Sequence, residues 1–70
     1  MTIQEATQKA MEGGWNPLNS PQWQEGFLDP LYWKCLGKTM GWGEGWRGYS
    51  RHFWNHSLEG KSIESFFETL

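Results

Sequence analysis

Asp29-Pro30, followed by LYWKCLGKTM, constrains this chain more than any other stretch. Aspartate before proline is a helix start: the carboxylate caps free amides of the first turn, and proline loses nothing at the first helical position, where its missing N–H would have no partner. The pair predicts a helix over residues 30–40. At about 100° per residue, Leu31, Tyr32, Cys35, Leu36 and Met40 cover more than half of its circumference, with Trp33 at the edge and Lys34 and Lys38 opposite. A helix this apolar has to be central, and other elements must pack around it.

Only 70 residues are present to do so, and a domain of that size buries only about 60% of the surface its unfolded chain exposes. Six Trp, four Phe and two Tyr compensate for the short length, because each aromatic side chain buries on the order of 150–250 Å². Nine glycines work against helix formation and are expected mainly in turns and at helix ends. Together these features predict a single domain, residues 1–70, packed by aromatic rings.

Three further helices are legible. Thr2-Ile3-Gln4-Glu5 is a capping box opening a helix over 3–12, with Ile3, Ala6, Ala10 and Met11 as its apolar stripe and Gly13-Gly14 supplying a left-handed ending. The glycine-rich Gly41-Trp42-Gly43-Glu44-Gly45 leads into a helix over 46–59, whose Trp46, Tyr49, Phe53, Trp54 and Leu58 share one side with Ser50 and Ser57. After Gly60, Ser62 caps a last helix over 63–69, with Ile63, Phe66, Phe67 and Leu70 at i, i+3, i+4 and i+7. Residues 15–28 lack periodicity and hold Asn16-Pro17, Asn19, Ser20-Pro21 and Gly26, so they predict a long loop. Packing of Trp15 and Trp23 is expected to order it, and Ser20-Pro21 can open one short helical turn carrying Trp23. No segment alternates with period two. The class is therefore all-α, a small bundle of three to four short helices with an ordered, Trp-containing loop.

Composition narrows function mainly by exclusion. A net charge of −2 gives no global attraction to nucleic acid, so only a local basic patch would bind it. One cysteine permits no internal disulfide and points to a reducing compartment, the cytoplasm. The N-terminus does not read as a signal peptide, and no apolar stretch approaches the roughly 20 residues of a membrane span.

Local motifs that suggest chemistry do not survive inspection. Gly37-Lys38-Thr39 resembles the end of a phosphate-binding loop, but that loop needs a glycine where Tyr32 stands, and a helix that begins at its lysine rather than one ending there. Packing is the better reason for Gly37, which lets a neighbouring helix or a Trp ring approach the backbone. His52 and His56 have the i, i+4 spacing of paired metal ligands; two ligands are not a site, Cys35 and Glu59 lack diagnostic spacing, and no metal is expected. Cys35 sits on an apolar face, Ser50 and Ser57 lack a nucleophile context, and no cofactor motif is present, so an enzyme is not expected.

One arrangement points to binding. Arg47 and Arg51 lie one turn apart beside Trp54, with Trp46 preceding them. Arginine beside an aromatic plane anchors an acidic protein partner, or grips phosphates and stacks on bases as in binders of nucleotides and single-stranded nucleic acid; the bland alternative is arginine stems shielding a Trp. Twelve aromatics also exceed what so small an interior holds, which leaves surface for a partner or a second copy.

The segments LDPLYWKCLGKTMGW and EGKSIESFFETL, with the EGGW turn, resemble short uncharacterised proteins predicted from bacterial and phage genomes. The likeness spans most of the chain. It implies a small intracellular accessory protein of bacterial or phage origin, of the size typical of inhibitors that bind a host factor, and brings no functional role to particular positions. The expected function is protein–protein interaction through the aromatic-rich surface, with homo-oligomerisation allowed. Binding of nucleotide or single-stranded nucleic acid through Arg47, Arg51, Trp54 and Trp46 is the alternative.

Overall fold

The computed structural model describes residues 1–24 and 28–70 and is all-α, with no strand among the described residues. The helices are α1 (Ile3–Glu12), the single turn α2 (Pro21–Gln24), α3 (Pro30–Met40), α4 (Trp46–Leu58) and α5 (Ile63–Glu68); 3-10 turns occupy Pro17–Asn19 and Gly43–Gly45. The turn expected at Gly26 lies outside the described residues.

Helices α1, α3 and α5 are capped by side chains, whereas α4 starts from Gly45 with no side-chain cap. Thr2 Oγ1 accepts from the Glu5 amide at 3.1 Å while Glu5 accepts from the Thr2 amide at 3.3 Å, which completes the capping box of α1. Asp29 Oδ1 accepts from the Tyr32 amide at 2.6 Å, and Ser62 Oγ from the Ser65 amide at 3.2 Å. At the far end of α3, Gly41 adopts the left-handed conformation at φ 77°.

α3 is the central helix, with α1 on one flank and α4 on the other; α5 touches both α1 and α4, and its Phe66 and Phe67 rings reach Trp33. Trp33, expected at the edge of its apolar face, is instead the middle of the core at 1% exposure. Its ring stacks on Phe67 at 5.7 Å and meets Phe53 and Phe66 at 5.3 and 5.7 Å. A helix packed on two flanks buries two stripes, so a position at the margin of one stripe lies at the centre of the other. Leu31, conversely, is exposed, and so is Met11 of α1.

The close contact of α1 with α3 depends on Gly13. Its φ is −82°, so the left-handed ending belongs to Gly14 alone, at 105°. Gly13 serves a different purpose: a Cβ there would lie 2.2 Å from the Cys35 carbonyl oxygen, inside the backbone of α3. The Thr39 hydroxyl, donating to the Lys9 carbonyl at 2.7 Å, closes the same crossing.

The segment between α1 and α3 is held by one polar node. Asp29 is buried, and its Oδ2 accepts from the Ser20 hydroxyl and, at 3.5 Å, from the Trp15 indole. Ser20 Oγ in turn accepts from the Trp23 amide at 3.2 Å, so the serine opens α2 as its sequence context predicts. Trp15 is buried and Trp23 half-buried; Trp15 meets Trp23 and Tyr32 edge-on, each at 5.0 Å.

Candidate functional site

α4 is the least buried of the three long helices. On its aromatic side Phe53 is buried, and Trp46 and Tyr49 are half-buried against the core. Tyr49 turns to the other flank and stacks on Trp42 at 3.9 Å. Trp54 and Leu58 are 62% and 70% exposed. Phe66 and Phe67 of α5 pack on Trp33, with Phe66 also edge-on to Phe53, and complete the core without lining the groove beside Trp54 and Leu58.

That arrangement leaves an open groove of about 960 Å³ along α4, between the start of α3 and the start of α5. Trp33 and Phe53 form its floor, Leu28 and Pro30 one wall, and Ile63 closes the other end. All four residues expected to bind, Trp46, Arg47, Arg51 and Trp54, line it. Arg47, Arg51, Trp54 and Leu58 are spaced four, three and four apart, which places them in one stripe down the helix.

The charges on the rim are uneven. Arg47, Arg51 and Lys61 line the groove, and among the described residues no Asp or Glu does. Arg47 is partly engaged: its guanidinium sits 5.5 Å from the Trp46 ring centre and its Nε 3.3 Å from Glu44. Lys61 Nζ is 2.8 Å from Glu59, whose carboxyl the lysine's hydrogen bond holds below its ordinary range. Both pairs are solvent-exposed and therefore weak. Arg51 makes no ion pair with the described residues.

The contributions of Lys61, Leu28, Pro30 and Ile63 carry no signal in the sequence, since they come together only through the fold. Leu58 does carry one. It continues the Arg47–Arg51–Trp54 stripe at the same helical spacing.

The other candidate residues lead elsewhere. His56 Nε2 is 2.9 Å from the Ser62 carbonyl and 2.8 Å from Ser65 Oγ. A carbonyl only accepts, so Nε2 carries the proton and ties the α4–α5 junction, which removes that nitrogen as a metal ligand. His52 is exposed, and among the described residues no three His, Cys, Asp or Glu cluster as a metal site. Lys38 and Thr39 lie in the last turn of α3, with Thr39 used at the α1 crossing. Gly37 faces Trp42 and Trp46, so it permits close packing. Burial pushes the Cys35 thiol above its ordinary pKa, against the opposing influence of Lys38 and Lys34. No helix among the described residues is long and apolar enough to cross a membrane.

No protein-family model, curated protein or solved structure matches this chain.

Proposed function

We propose that this protein is a binding module rather than an enzyme, and that the groove along α4 docks a segment of another protein. The observation that carries this is the pair Trp54 and Leu58, one turn apart, both mostly exposed, above a floor made by the core rings Trp33 and Phe53. Scattered apolar residues on a surface need no explanation, whereas two together on the lip of an apolar groove match the anatomy of an interface: an apolar centre with a charged rim. The resemblance to small bacterial and phage proteins fits a cytoplasmic accessory or inhibitor that binds a host protein.

Nucleotide or single-stranded nucleic-acid binding is the second reading, favoured by Arg51 beside an exposed Trp54. It is weaker, because a nucleic-acid backbone needs a line of available cations, and Arg47 and Lys61 already have acidic neighbours.

A photo-crosslinking residue at position 58 tests the first reading in the producing cells. A discrete protein adduct from position 58, absent from position 8 on the outer face of α1, is expected. Crosslinks only to nucleic acid, or equal crosslinking from both positions, would refute it.

A further inference from the structure

The distribution of charge around the groove says what kind of segment fits it. The whole chain is acidic, with net charge −2, yet three of its six Lys and Arg line this one groove and no described acid does. Glu44 and Glu59 pair with Arg47 and Lys61 from just outside the lining, so the local preference for an anion rests on Arg51, which has no ion-pair partner among the described residues. The cations also have an order along the helix. Arg47 and Arg51 stand toward the start of α4, Lys61 beyond its end, and Trp54 and Leu58 lie between them.

The occupant therefore has an apolar stretch that meets Trp54 and Leu58 and an acidic side chain at the end that meets Arg51. Its length follows from α4: positions 47 and 58 are eleven residues apart, or about 16 Å along the axis, which is three turns of a second helix laid alongside. A helix packed in such a groove presents anchors at i, i+3 or i+4, and i+7, the same spacing as the stripe it meets. A polyanion is a poorer fit, since Leu28, Pro30, Leu58 and Ile63 would desolvate its phosphates and return nothing.

A second copy of this chain is also a poorer fit. Of the described helices with exposed acids, α1 shows Gln4, Glu5, Gln8 and Glu12 with Met11 as its one exposed large apolar residue, and α5 shows Glu64 and Glu68 with none.

Resting on the docking function proposed above, we infer that the partner contributes an acidic amphipathic helix. Its apolar side chains lie on Trp54 and Leu58, and a carboxylate meets Arg51, the rim cation that has no ion-pair partner among the described residues.

Three synthetic helical peptides test this, each with leucines at i, i+4 and i+7 and flanked by Glu, Gln or Lys. Titrated into ¹⁵N-labelled full-length protein, the Glu peptide is expected to move the Trp54 indole and Leu58 amide signals and leave the Trp15 indole unmoved. It is expected to bind about fivefold more tightly than the Gln peptide, the size of one exposed charge pair, with the Lys peptide weaker still. Arg51→Gln, at an exposed position, should abolish the Glu–Gln difference and keep the Gln-peptide affinity.

Equal binding of the Glu and Gln peptides to the natural protein would overturn the acidic-partner inference and leave protein docking intact. If no peptide moves Trp54 and position 58 gives no protein crosslink, both fall. Shifts of the same signals with protein concentration alone would assign the groove to a second copy, and shifts with oligothymidylate but no peptide would assign it to nucleic acid; either overturns the inference.

Discussion

Two glycines stand inside helices, Gly37 in α3 and Gly48 in α4, and replacing each by alanine separates packing from helix propensity. Alanine gains roughly 0.5–1 kcal/mol at either position, through the backbone freedom glycine loses on folding. At Gly48 nothing lies within 4 Å of the added Cβ, so the full gain is expected. At Gly37 the new atom would stand 2.7 Å from Trp46 Cβ and 3.3 Å from Trp42 Cε3. Carbon atoms pack best at about 3.5–4.0 Å, so the α3–α4 junction would have to open by nearly 1 Å. Trp46 Cβ is the root of a side chain and cannot swing away without its helix. Overpacking of this kind costs about 1–3 kcal/mol, leaving Gly37→Ala destabilised by about 0–2.5 kcal/mol, centred on about 1 kcal/mol, after the propensity gain. With about 4–8 °C per kcal/mol for a domain this small, Gly48→Ala should melt several degrees higher and Gly37→Ala about 4–8 °C lower at that central value. Circular dichroism at 222 nm, by heat and by urea, reads both. A rise in Tm for Gly37→Ala equal to that for Gly48→Ala would refute the close approach of α4 to α3 at this point.

Asp29→Ala removes the α3 cap and leaves the buried Ser20 hydroxyl without its acceptor; about 2–4 kcal/mol of stability should be lost, measured by urea denaturation, and a loss below about 0.5 kcal/mol would show that the node is idle. Burial pushes the Tyr32 hydroxyl up to about 12, against the opposing effect of its hydrogen bond with Thr7. Because the folded value lies above the unfolded one, near 10, that contribution is complete below pH 10 and disappears as pH rises toward 12; a pH series of urea midpoints should fall across that window, and less so for Tyr32→Phe. Trp54→Ala and Leu58→Ala should each change Tm by no more than a few degrees, since both side chains are mostly exposed, and a large loss of stability in either would place that residue in the core instead of on a docking surface.

The helices were legible because their boundaries are local chemistry. Thr2, Asp29 and Ser62 each cap with their own side chains, Gly41 and Gly60 take the left-handed backbone, and none of this requires knowing what packs where. The burial of α3 was less legible, because a stripe projected from one helix assumes one neighbour. With α1 against one flank, α4 against the other and the α5 phenylalanines filling the space next to Trp33, Trp33 became the centre and Leu31 the outside. The groove follows from the same cause. Trp46, Arg47, Arg51 and Trp54 were identifiable as a set because they lie on a single helix, whose periodicity relates them. The opposite wall could not be read, since Leu28 and Pro30 come beside α4 only through its packing on α3, and Lys61 and Ile63 only through the turn into α5. α5 therefore does two things at once: Phe66 and Phe67 complete the core, and Ile63 at its start closes one end of the groove whose lip carries Trp54 and Leu58, the surface a partner would cover.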